Sequence, residues 1–451
     1  MGQRHGSRRE GWERVSDGDL LALVCCDLGA IVRGRSVFAS ELGEQLEHGV
    51  GWVPANHALT PLGGLAEPNP FGSTGDLRLL PDPTTHARVP GSDGSAPLEL
   101  LLCDIVEIDG SAWAGCPRTL LRGTVEMAER ELGATIAVSF EHEFQLMLDG
   151  PRSLPFSLEG QRRVEPFATR VMDALKEAGA EPERFFAEFA AHQYEIPVAP
   201  APALAAADRA VLLREVVREV ARREGMRASF VPLLDPEEAG NGVHIHLSLL
   251  DPGGRSLLYD TTREGCLSEL GGMFAAGVLE HAAALSALTA PSPVSAGRLQ
   301  PHHWSAGAAC LAAGNREALL RIPPLPSLGR MEPEAEMRLE YRAADAAANP
   351  YLALAALLLA GLDGVRRALP APPVLDRDPG VLDPDEARAF GVGALPASLE
   401  DALAALESDD TARRWLPNLM LDAYLSIKRA ELEASARLDL GEICRRYAAI
   451  Y

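Results

Sequence analysis

The chain has 451 residues, of which 42 are Lys or Arg and 64 are Asp or Glu, so its formal net charge is −22. This length fits one large domain or two smaller ones, and a content of 47% apolar and 24% charged residues excludes disordered and collagen-like chains. The acidic balance, without any basic run, argues against a nucleic-acid partner because phosphate backbones are bound by clustered Lys and Arg.

The predicted elements fall into two regions. Apolar stretches separated by Gly and Pro follow one another from Leu20 to Ile108, which predicts a small β-rich domain over residues 16–110. Larger helical and strand patterns alternate afterwards and predict a second domain over residues 117–451. In chain order we expect a helix at 118–132, a strand at 135–148, a helix at 208–223, strands at 227–232 and 242–250, and long helices at 267–290, 349–366 and 418–446.

The cysteines and the apolar stretches bear on the compartment. Seven cysteines are scattered without a CxxC pair, which predicts reduced thiols in a cytoplasmic protein. The N-terminal residues are polar and lack the apolar core of a signal peptide. The longest uncharged stretch, Ala346 to Leu362, contains Pro350 and is short for a bilayer. We therefore expect a buried core helix there and no membrane partner.

Three predicted strands carry ionisable residues on one face. Side chains alternate along a strand, so Glu141 and Glu143 in TIAVSFEHEFQLML share a face. A single strand of this kind is more typical of a solvated sheet face than of a site. The same alternation recurs in GNGVHIHLSLL and in MRLEYRAAD. The residues that share a face in these two strands are His244, His246 and Ser248 in the first, and Arg338, Glu340 and Arg342 in the second.

Carboxylates that converge on one surface need compensating cations, because like charges repel and are costly to bury. Glu188 and Glu195, which flank a short irregular segment, are further candidates, although each alone would more often be a surface residue. Several carboxylates with one imidazole favour Mg²⁺ or Mn²⁺ over zinc. The expected ligands of two or three metal ions are Glu141, Glu143, Glu188, Glu195, His244 and Glu340.

A set of arginines points to an anionic substrate. Arg298, Arg316, Arg321 and Arg342 occur close to the acidic motifs, and arginine suits bidentate contacts with phosphate and carboxylate groups. The chain contains neither a GxxxxGK[ST] motif nor a kinase glycine-rich loop. We therefore expect metal ions and arginines to hold any bound nucleotide phosphate.

The order of these motifs resembles the glutamine synthetase family along almost the whole chain. The matching segments are Glu141 to Phe144, Glu188 to Glu195, Phe230 to Ser248, Arg298 to Pro301, Asn315 to Arg321 and Glu340 to Tyr351. The resemblance implies an α+β fold, with an N-terminal β-grasp domain and a catalytic domain whose antiparallel strands form a half-barrel funnel surrounded by helices. It also implies homo-oligomeric rings, usually a dodecamer, with active sites between subunits.

The resemblance further implies a role for each residue. Metal ligands would be Glu143, Glu188 and Glu195 for one ion, and Glu141, His244 and Glu340 for the other. ATP would contact Glu183, His246, Ser248, Arg316 and Arg321. Glutamate would contact Gly240, Arg298 and Arg342, and the catalytic residues would be Arg316 and Arg342. The implied reaction is attack of the γ-carboxylate of glutamate on the terminal phosphate of ATP, followed by capture of the acyl phosphate by an amine.

This sequence departs from the ammonia-using members at the amine site. Those members carry a Glu six residues after the arginine of the RLxP loop, where this chain has Trp304. They also carry an Asp in the N-terminal domain, where this chain reads HGVGWVP around residues 49–52. With both acids absent, a small cation loses its site and a larger organic amine becomes the better acceptor. The pattern thus favours a γ-glutamyl-amine ligase acting on a polyamine or an ethanolamine-like compound, with Trp304 in the substrate site.

Two alternatives stay open at this point. The first is a true glutamine synthetase in which Glu44, Glu47 or His303 takes over the binding of ammonia. The second is a non-catalytic regulatory or assembly protein built on the same scaffold. Ala239 and Leu233 stand where the family usually has Asn and Lys, so the glutamate site differs from the family pattern in either case.

Overall fold

A computed structural model describes residues 18–91, 94–301 and 305–451. The strands are β1 Leu20–Cys26, β2 Val32–Phe38, β3 Val50–Trp52, β4 Leu77–Pro81, β5 Ala87–Val89, β6 Leu98–Glu107, β7 Thr135–Leu146, β8 Phe186–Ala187, β9 Gln193–Pro197, β10 Ala201–Pro202, β11 Ala228–Ser229, β12 Val243–Leu250, β13 Ala308–Ala313, β14 Ala318–Ile322, β15 Leu339–Tyr341 and β16 Val374–Leu375. The helices are α1 Leu42–His48, α2 Pro117–Leu132, α3 Leu158–Arg163, α4 Phe167–Glu177, α5 Ala203–Arg223, α6 Glu269–Glu280, α7 Ala282–Thr289, α8 Ser295–Arg298, α9 Pro350–Arg366, α10 Pro384–Ala389, α11 Leu399–Ser408, α12 Asn418–Ser435 and α13 Leu440–Ala448.

The N-terminal region forms a sheet with strand order β2-β1-β6-β4-β3, in which β5 also pairs with β6. Strands β1 and β6 run parallel, and α1 packs against β4. This is the β-grasp arrangement that the sequence predicts. After its exposed first residue, Leu20, strand β1 packs on both faces: Leu23 belongs to a core inside the N-terminal region, whereas Val24 belongs to the large core shared with the rest of the chain.

The two regions are joined between the end of β6 at Glu107 and the start of α2 at Pro117, and we propose that the domain boundary lies there. Buried polar contacts cross it. The Arg118 guanidinium binds both carboxylate oxygens of Asp208 at 2.8 Å and also reaches Asp82 and Asp104 of the N-terminal sheet. Such a buried ionic network fixes orientation, because each charge depends on its partners.

The larger sheet has the order β16-β13-β14-β15-β12-β7-β9-β8, and β10 and β11 also pair with β7. Its central pairs, from β14 to β8, are antiparallel as predicted. At one edge, β13 instead runs parallel to both β14 and β16. Helix α5 packs against β7, and α6 packs against β13 and β14, so helices cover one side of a curved sheet. The α+β prediction is confirmed.

The predicted core helix is α9. Asn349 caps its first turn by accepting hydrogen bonds from the backbone N–H groups of Tyr351 and Leu352, and Pro350 occupies the first helical position. The Asn349 amide also donates to the carbonyl of Asp27 at 2.8 Å. One side chain therefore starts the central helix and ties it to the N-terminal sheet.

Three predicted elements are shorter than expected. Residues 267–290 form α6 and α7, which bend by 75° at His281, where the imidazole lies between Asp363 and Asp409. Residues 418–446 are interrupted between α12 and α13. The strand expected at 227–232 is only the two-residue β11, because the N–H of Phe230 donates to the carbonyl of Tyr451 instead of to a neighbouring strand.

Membrane-spanning potential is confined to one bent helix pair. Within residues 18–91, 94–301 and 305–451, no single helix combines the length and apolarity needed to cross a bilayer. Taken together across their bend, helices α6 and α7 are long and apolar enough for such a span, by length and composition alone.

Helices α6 and α9 approach each other through glycines. A Cβ atom on Gly277 would lie 2.2 Å from the carbonyl of Ala360 and 2.6 Å from the N–H of Gly364. These are backbone atoms, so no side chain can rotate away to make room. The close contact in the core thus requires glycine at this position.

We predict that Gly277→Ala lowers the free energy of unfolding by about 1–3 kcal/mol, because the added methyl group overpacks the α6–α9 contact. Gly123→Ala is the matched control, since Gly123 is exposed in α2 with open space around its Cα. That control should raise stability by up to about 1 kcal/mol through helix propensity. Urea denaturation measures both; a neutral Gly277→Ala would contradict the packing argument.

The buried side chain of His57 makes the free energy of unfolding depend on pH. Burial lowers its pKa to about 3, and the nearby Arg33 charge acts in the same direction, while its Nε2 accepts a hydrogen bond from Trp52 at 3.0 Å. An unfolded histidine titrates near pH 6.5, so the unfolded state binds the extra proton first. Above pH 6.5, neutral His57 contributes its full stabilisation to the folded state. Below that pH the free energy of unfolding falls by up to about 1.4 kcal/mol per pH unit.

We therefore expect His57→Gln, which keeps an acceptor for Trp52, to flatten the fall in unfolding free energy between pH 6 and pH 4. The control His48→Gln removes an exposed histidine and should keep the wild-type curve. Denaturant titrations across this pH range measure both variants, and equal slopes for His57→Gln and wild type would refute the assignment.

Candidate active site

Strand register brings the predicted polar residues into adjacent rows of the larger sheet. Strand β12 lies between β7 and β15, and β9 lies on the other side of β7. Because alternate side chains point to the same face, the ionisable faces of these strands combine into one surface. The cross-strand pairs are Glu141 with His244, Glu143 with Glu195, His246 with Glu340, and Arg321 with Glu340.

This surface forms the wall of a cavity of about 470 Å³, a size in the range of small-molecule sites. Ten of the predicted site residues line it: Glu141, Glu143, Glu188, Glu195, His244, His246, Arg316, Arg321, Glu340 and Arg342. Acidic and basic groups therefore line one space that can hold an anionic ligand.

The first acidic cluster consists of Glu143, Glu188 and Glu195, whose nearest ligand atoms lie within 4.8 Å of one another. Burial, followed by the charge of Glu143, raises the pKa of Glu188 to about 8. Burial and the surrounding carboxylates raise the pKa of Glu195 well above its usual range. A bound cation would offset this repulsion. Three carboxylates form an all-oxygen donor set suited to a hard divalent ion.

The second cluster consists of Glu141, His244 and Glu340, again within 4.8 Å. Arginine and histidine side chains surround its carboxylates. Although burial opposes ionisation, Arg342 and the histidines lower the pKa of Glu340 to about 2. Burial is likewise outweighed at Glu141, where His246 and His244 hold the pKa well below its usual range. Two carboxylates and one imidazole also fit a divalent ion.

Two arginines hold Glu340. Arg321 Nη1 lies 2.7 Å from Glu340 Oε2, and Arg342 Nη1 binds the other carboxylate oxygen. Arg342 also donates from Nε to the carbonyl of Arg316 at 2.9 Å. The guanidinium groups are thus fixed beside the second cluster, where they can share an anion with bound metal.

Arg338 is a cavity residue that the sequence reasoning did not assign to the site. Its Nε donates to Nδ1 of His246 at 3.2 Å, which leaves the imidazole proton on Nε2, 3.1 Å from Glu141 Oε2. Its position two residues before Glu340 on the same strand face was the signal that could have found it. Arg184, Phe156 and Phe186 also line the cavity, and no motif marked them.

Hydrogen bonds from two of the matching segments orient Glu143. Gln193 donates from Nε2 to the carbonyl of Gly240 at 2.9 Å and to Oδ1 of Asn241 at 3.0 Å. The N–H of Gly242 donates to Glu143 Oε2 at 2.6 Å. This network fixes one oxygen of the first cluster, as supporting hydrogen bonds commonly do around metal ligands.

Arg298 and Gly240 lie beside the cavity rather than in its wall. Arg298 is 2% exposed, and its Nη2 donates to the carbonyls of Ala343 and Ala344 at 2.6 and 2.8 Å. A Cβ on Gly240 would lie 2.6 Å from Cγ of Arg298, so the arginine stem packs directly on glycine backbone. Burial lowers the pKa of this guanidinium.

Two other predicted residues, Glu183 and Ser248, lie outside the cavity wall. Glu183 is exposed and lies 3.5 Å from Arg184, and Ser248 donates to the carbonyl of Met337 at 3.2 Å; neither lines the cavity. Trp304 and His303 are outside the described residues. The ATP-contacting roles of Glu183 and Ser248 and the substrate role of Trp304 stay predictions.

Comparison with known proteins identifies the family. Residues 114–441 match the model of the glutamine synthetase catalytic domain, and residues 5–113 match that of the glutamine synthetase N-terminal domain. The chain belongs to the glutamine synthetase family. Family members are ATP-dependent ligases that use divalent metals such as Mg²⁺ or Mn²⁺, and this protein is an enzyme of that class.

The names of the similar proteins point to different amine substrates. The chain is 34% identical to the gamma-glutamylpolyamine synthetase GlnA3 of Streptomyces coelicolor, over 95% of this chain and 92% of the relative. It is also 34% identical to the glutamine synthetase of Halobacterium salinarum, over 79% of each chain. A crystal structure described as a novel glutamine synthase homolog matches with a TM-score of 0.89 and 46% identity, covering 97% of this chain and 100% of that one.

We predict that Glu143→Gln weakens Mn²⁺ binding at least about tenfold, because it removes one of three carboxylates while its amide oxygen can still accept from Gly242. Calorimetric titration of the protein with MnCl₂ alone measures the affinity. Glu237→Gln is the matched control, since Glu237 is an exposed acid on the nearby loop. Equal affinities for the two variants would contradict the ligand assignment.

Proposed function

We propose that this enzyme joins the γ-carboxylate of glutamate, or of a close analogue, to an organic amine at the expense of ATP. The observation that carries the ligase chemistry is the cavity whose wall combines two carboxylate clusters with Arg316, Arg321 and Arg342. Acidic and basic groups in one wall suit a ligand whose phosphates are shared between metal ions and guanidinium groups.

Two or three divalent ions would be held by the two clusters. When bound, they would neutralise the charge that develops on the transferred phosphoryl group. Arg321 and Arg342, already fixed beside Glu340, would orient and stabilise that group. The family resemblance assigns the carboxylate end of glutamate to Arg298 and Gly240, which lie beside this cavity.

The proposed reaction has two steps. A γ-carboxylate oxygen of glutamate bonds to the terminal phosphorus of ATP, and the bond between that phosphorus and ADP breaks. The amine nitrogen then bonds to the acyl carbon, phosphate leaves, and the amine gives up a proton. The chain's contribution is mainly position and charge, since phosphoryl transfer needs little covalent help from the protein.

The acceptor assignment is supported by the segment where ammonia-using members carry an acid. Residues 49–52 contain no carboxylate: Gly49 has φ +61° and a Cβ there would lie 2.4 Å from the carbonyl of Leu79, while Trp52 is buried. This backbone requires glycine at one position and an apolar core residue at another. The similarity to a gamma-glutamylpolyamine synthetase supports the same choice.

We expect phosphate release with glutamate, ATP and Mg²⁺ to be faster with at least one organic amine than with ammonium. The panel should contain a diamine, longer polyamines, ethanolamine, a monoalkylamine and ammonium at equal free-base concentration, with mass spectrometry of the γ-glutamyl product. Glu143→Gln supplies the inactive control.

Each remaining outcome selects an alternative. Activity with ammonium at least equal to that with every amine would favour a glutamine synthetase in which other groups bind ammonia. No turnover and no calorimetric binding of ATP with Mg²⁺ would favour a non-catalytic regulatory protein. Turnover that needs ATP but not glutamate would contradict the proposed acid.

We also propose a cytoplasmic homo-oligomer, with a dodecamer as the expected form and active sites between subunits. All seven cysteines are free thiols, which supports a reducing compartment. Mass photometry should give a particle about twelve times the chain mass of 48.1 kDa. A monomeric particle with full activity would contradict sites shared between subunits.

A further inference from the structure

A second, much smaller cavity lies behind strand β7. Its volume is about 10 Å³, and its lining includes Phe140, His142, Arg214 and Asp345. That is close to the volume at which a polar cavity holds a single water molecule, roughly 10–15 Å³. Strand alternation puts His142 on the face opposite to Glu141 and Glu143, so this cavity is separate from the active site.

Three lining residues each bury a polar side-chain atom that has no hydrogen-bond partner: Nδ1 of His142, Nε of Arg214 and Oδ2 of Asp345. The three residues are only 3%, 2% and 2% exposed. An unpartnered polar atom in a protein interior costs about 1–3 kcal/mol. The three atoms belong to residues that line one cavity, so a single partner in that cavity could satisfy them.

The chemistry of these atoms is complementary. The Nε–H of Arg214 is a donor, and its two Nη atoms are already engaged with the carbonyls of Ala346 and Ala30 at 2.6 and 2.9 Å. Asp345 Oδ1 accepts from the N–H of Ala347 at 3.0 Å, which leaves Oδ2 as an acceptor.

His142 supplies the other acceptor. Its Nδ1 is buried without a hydrogen-bond partner, and a neutral imidazole has one nitrogen that accepts a hydrogen bond. The residues that line the cavity thus offer one donor and two acceptors, which matches a water molecule that accepts one hydrogen bond and donates two.

We propose that this cavity is a specific internal water site, in which one water accepts from Arg214 Nε and donates to His142 Nδ1 and Asp345 Oδ2. A single molecule then satisfies all three buried atoms. An anion would be repelled by Asp345, and an apolar guest would leave the three atoms unpaired.

The proposed water connects three elements that position the active site. His142 lies in β7 between Glu141 and Glu143, and Asp345 follows Arg342 by three residues. Arg214 belongs to α5 and reaches the N-terminal region through Ala30. The water would thus link β7, the segment after Arg342 and, through Arg214, the N-terminal region, on the side of β7 opposite to the active site.

A crystal structure of the full chain, at a resolution that shows ordered internal water, tests the proposal without substrate. We expect one density peak within about 2.7–3.2 Å of all three atoms. His142→Phe removes an acceptor and should abolish the peak. Phe140→Leu is the matched control, because it alters the same cavity wall but keeps all three polar groups, and it should retain the peak.

An empty cavity in the wild-type map, or a direct hydrogen bond from Arg214 Nε to His142 or Asp345, would overturn the proposal. So would an unchanged peak in His142→Phe. Should that variant fail to fold, the wild-type and Phe140→Leu maps still decide the question. The result is independent of the amine that the enzyme uses.

Discussion

Five carboxylates share the wall of one cavity, and their mutual repulsion must be offset by cations. The register of β12 between β7 and β15 creates this situation, since it aligns side chains from distant parts of the chain. Everything else about the site follows from how the charges are compensated.

The compensation is unequal on the two sides of the cavity. Around Glu340 the chain supplies its own cations, because Arg321 and Arg342 both bind that carboxylate. Around Glu188 and Glu195 burial and neighbouring carboxylates raise the pKa instead. The first cluster therefore depends most strongly on an added divalent ion, and the arginines mark the side where an anionic ligand would lie.

Local alternation made much of this site predictable. It placed Glu141 with Glu143 and His244 with His246 on single strand faces, which the structure confirms. Neighbour relations between strands came only from the family resemblance, because the pairing of β12 with β15 joins residues almost a hundred positions apart. Local alternation therefore predicts the acidic cavity only if the strands that carry these residues are neighbours in one sheet.

Tertiary contacts explain the elements and residues that were missed. His281 ends α6 where it meets two aspartates, and Phe230 leaves its strand to bind the carbonyl of Tyr451. Arg338 acts through His246, a relation that depends on the pairing of two strands. Such effects arise from contacts across the fold and leave little trace in local periodicity.

Anomalous diffraction from a crystal soaked in Mn²⁺ would locate the ions themselves and so show whether the two clusters bind metal. We expect anomalous peaks at Glu143, Glu188 and Glu195 and at Glu141, His244 and Glu340. A map without peaks at either cluster, or with Mn²⁺ only at Glu280, His281 and Asp363 outside the cavity, would contradict this expectation.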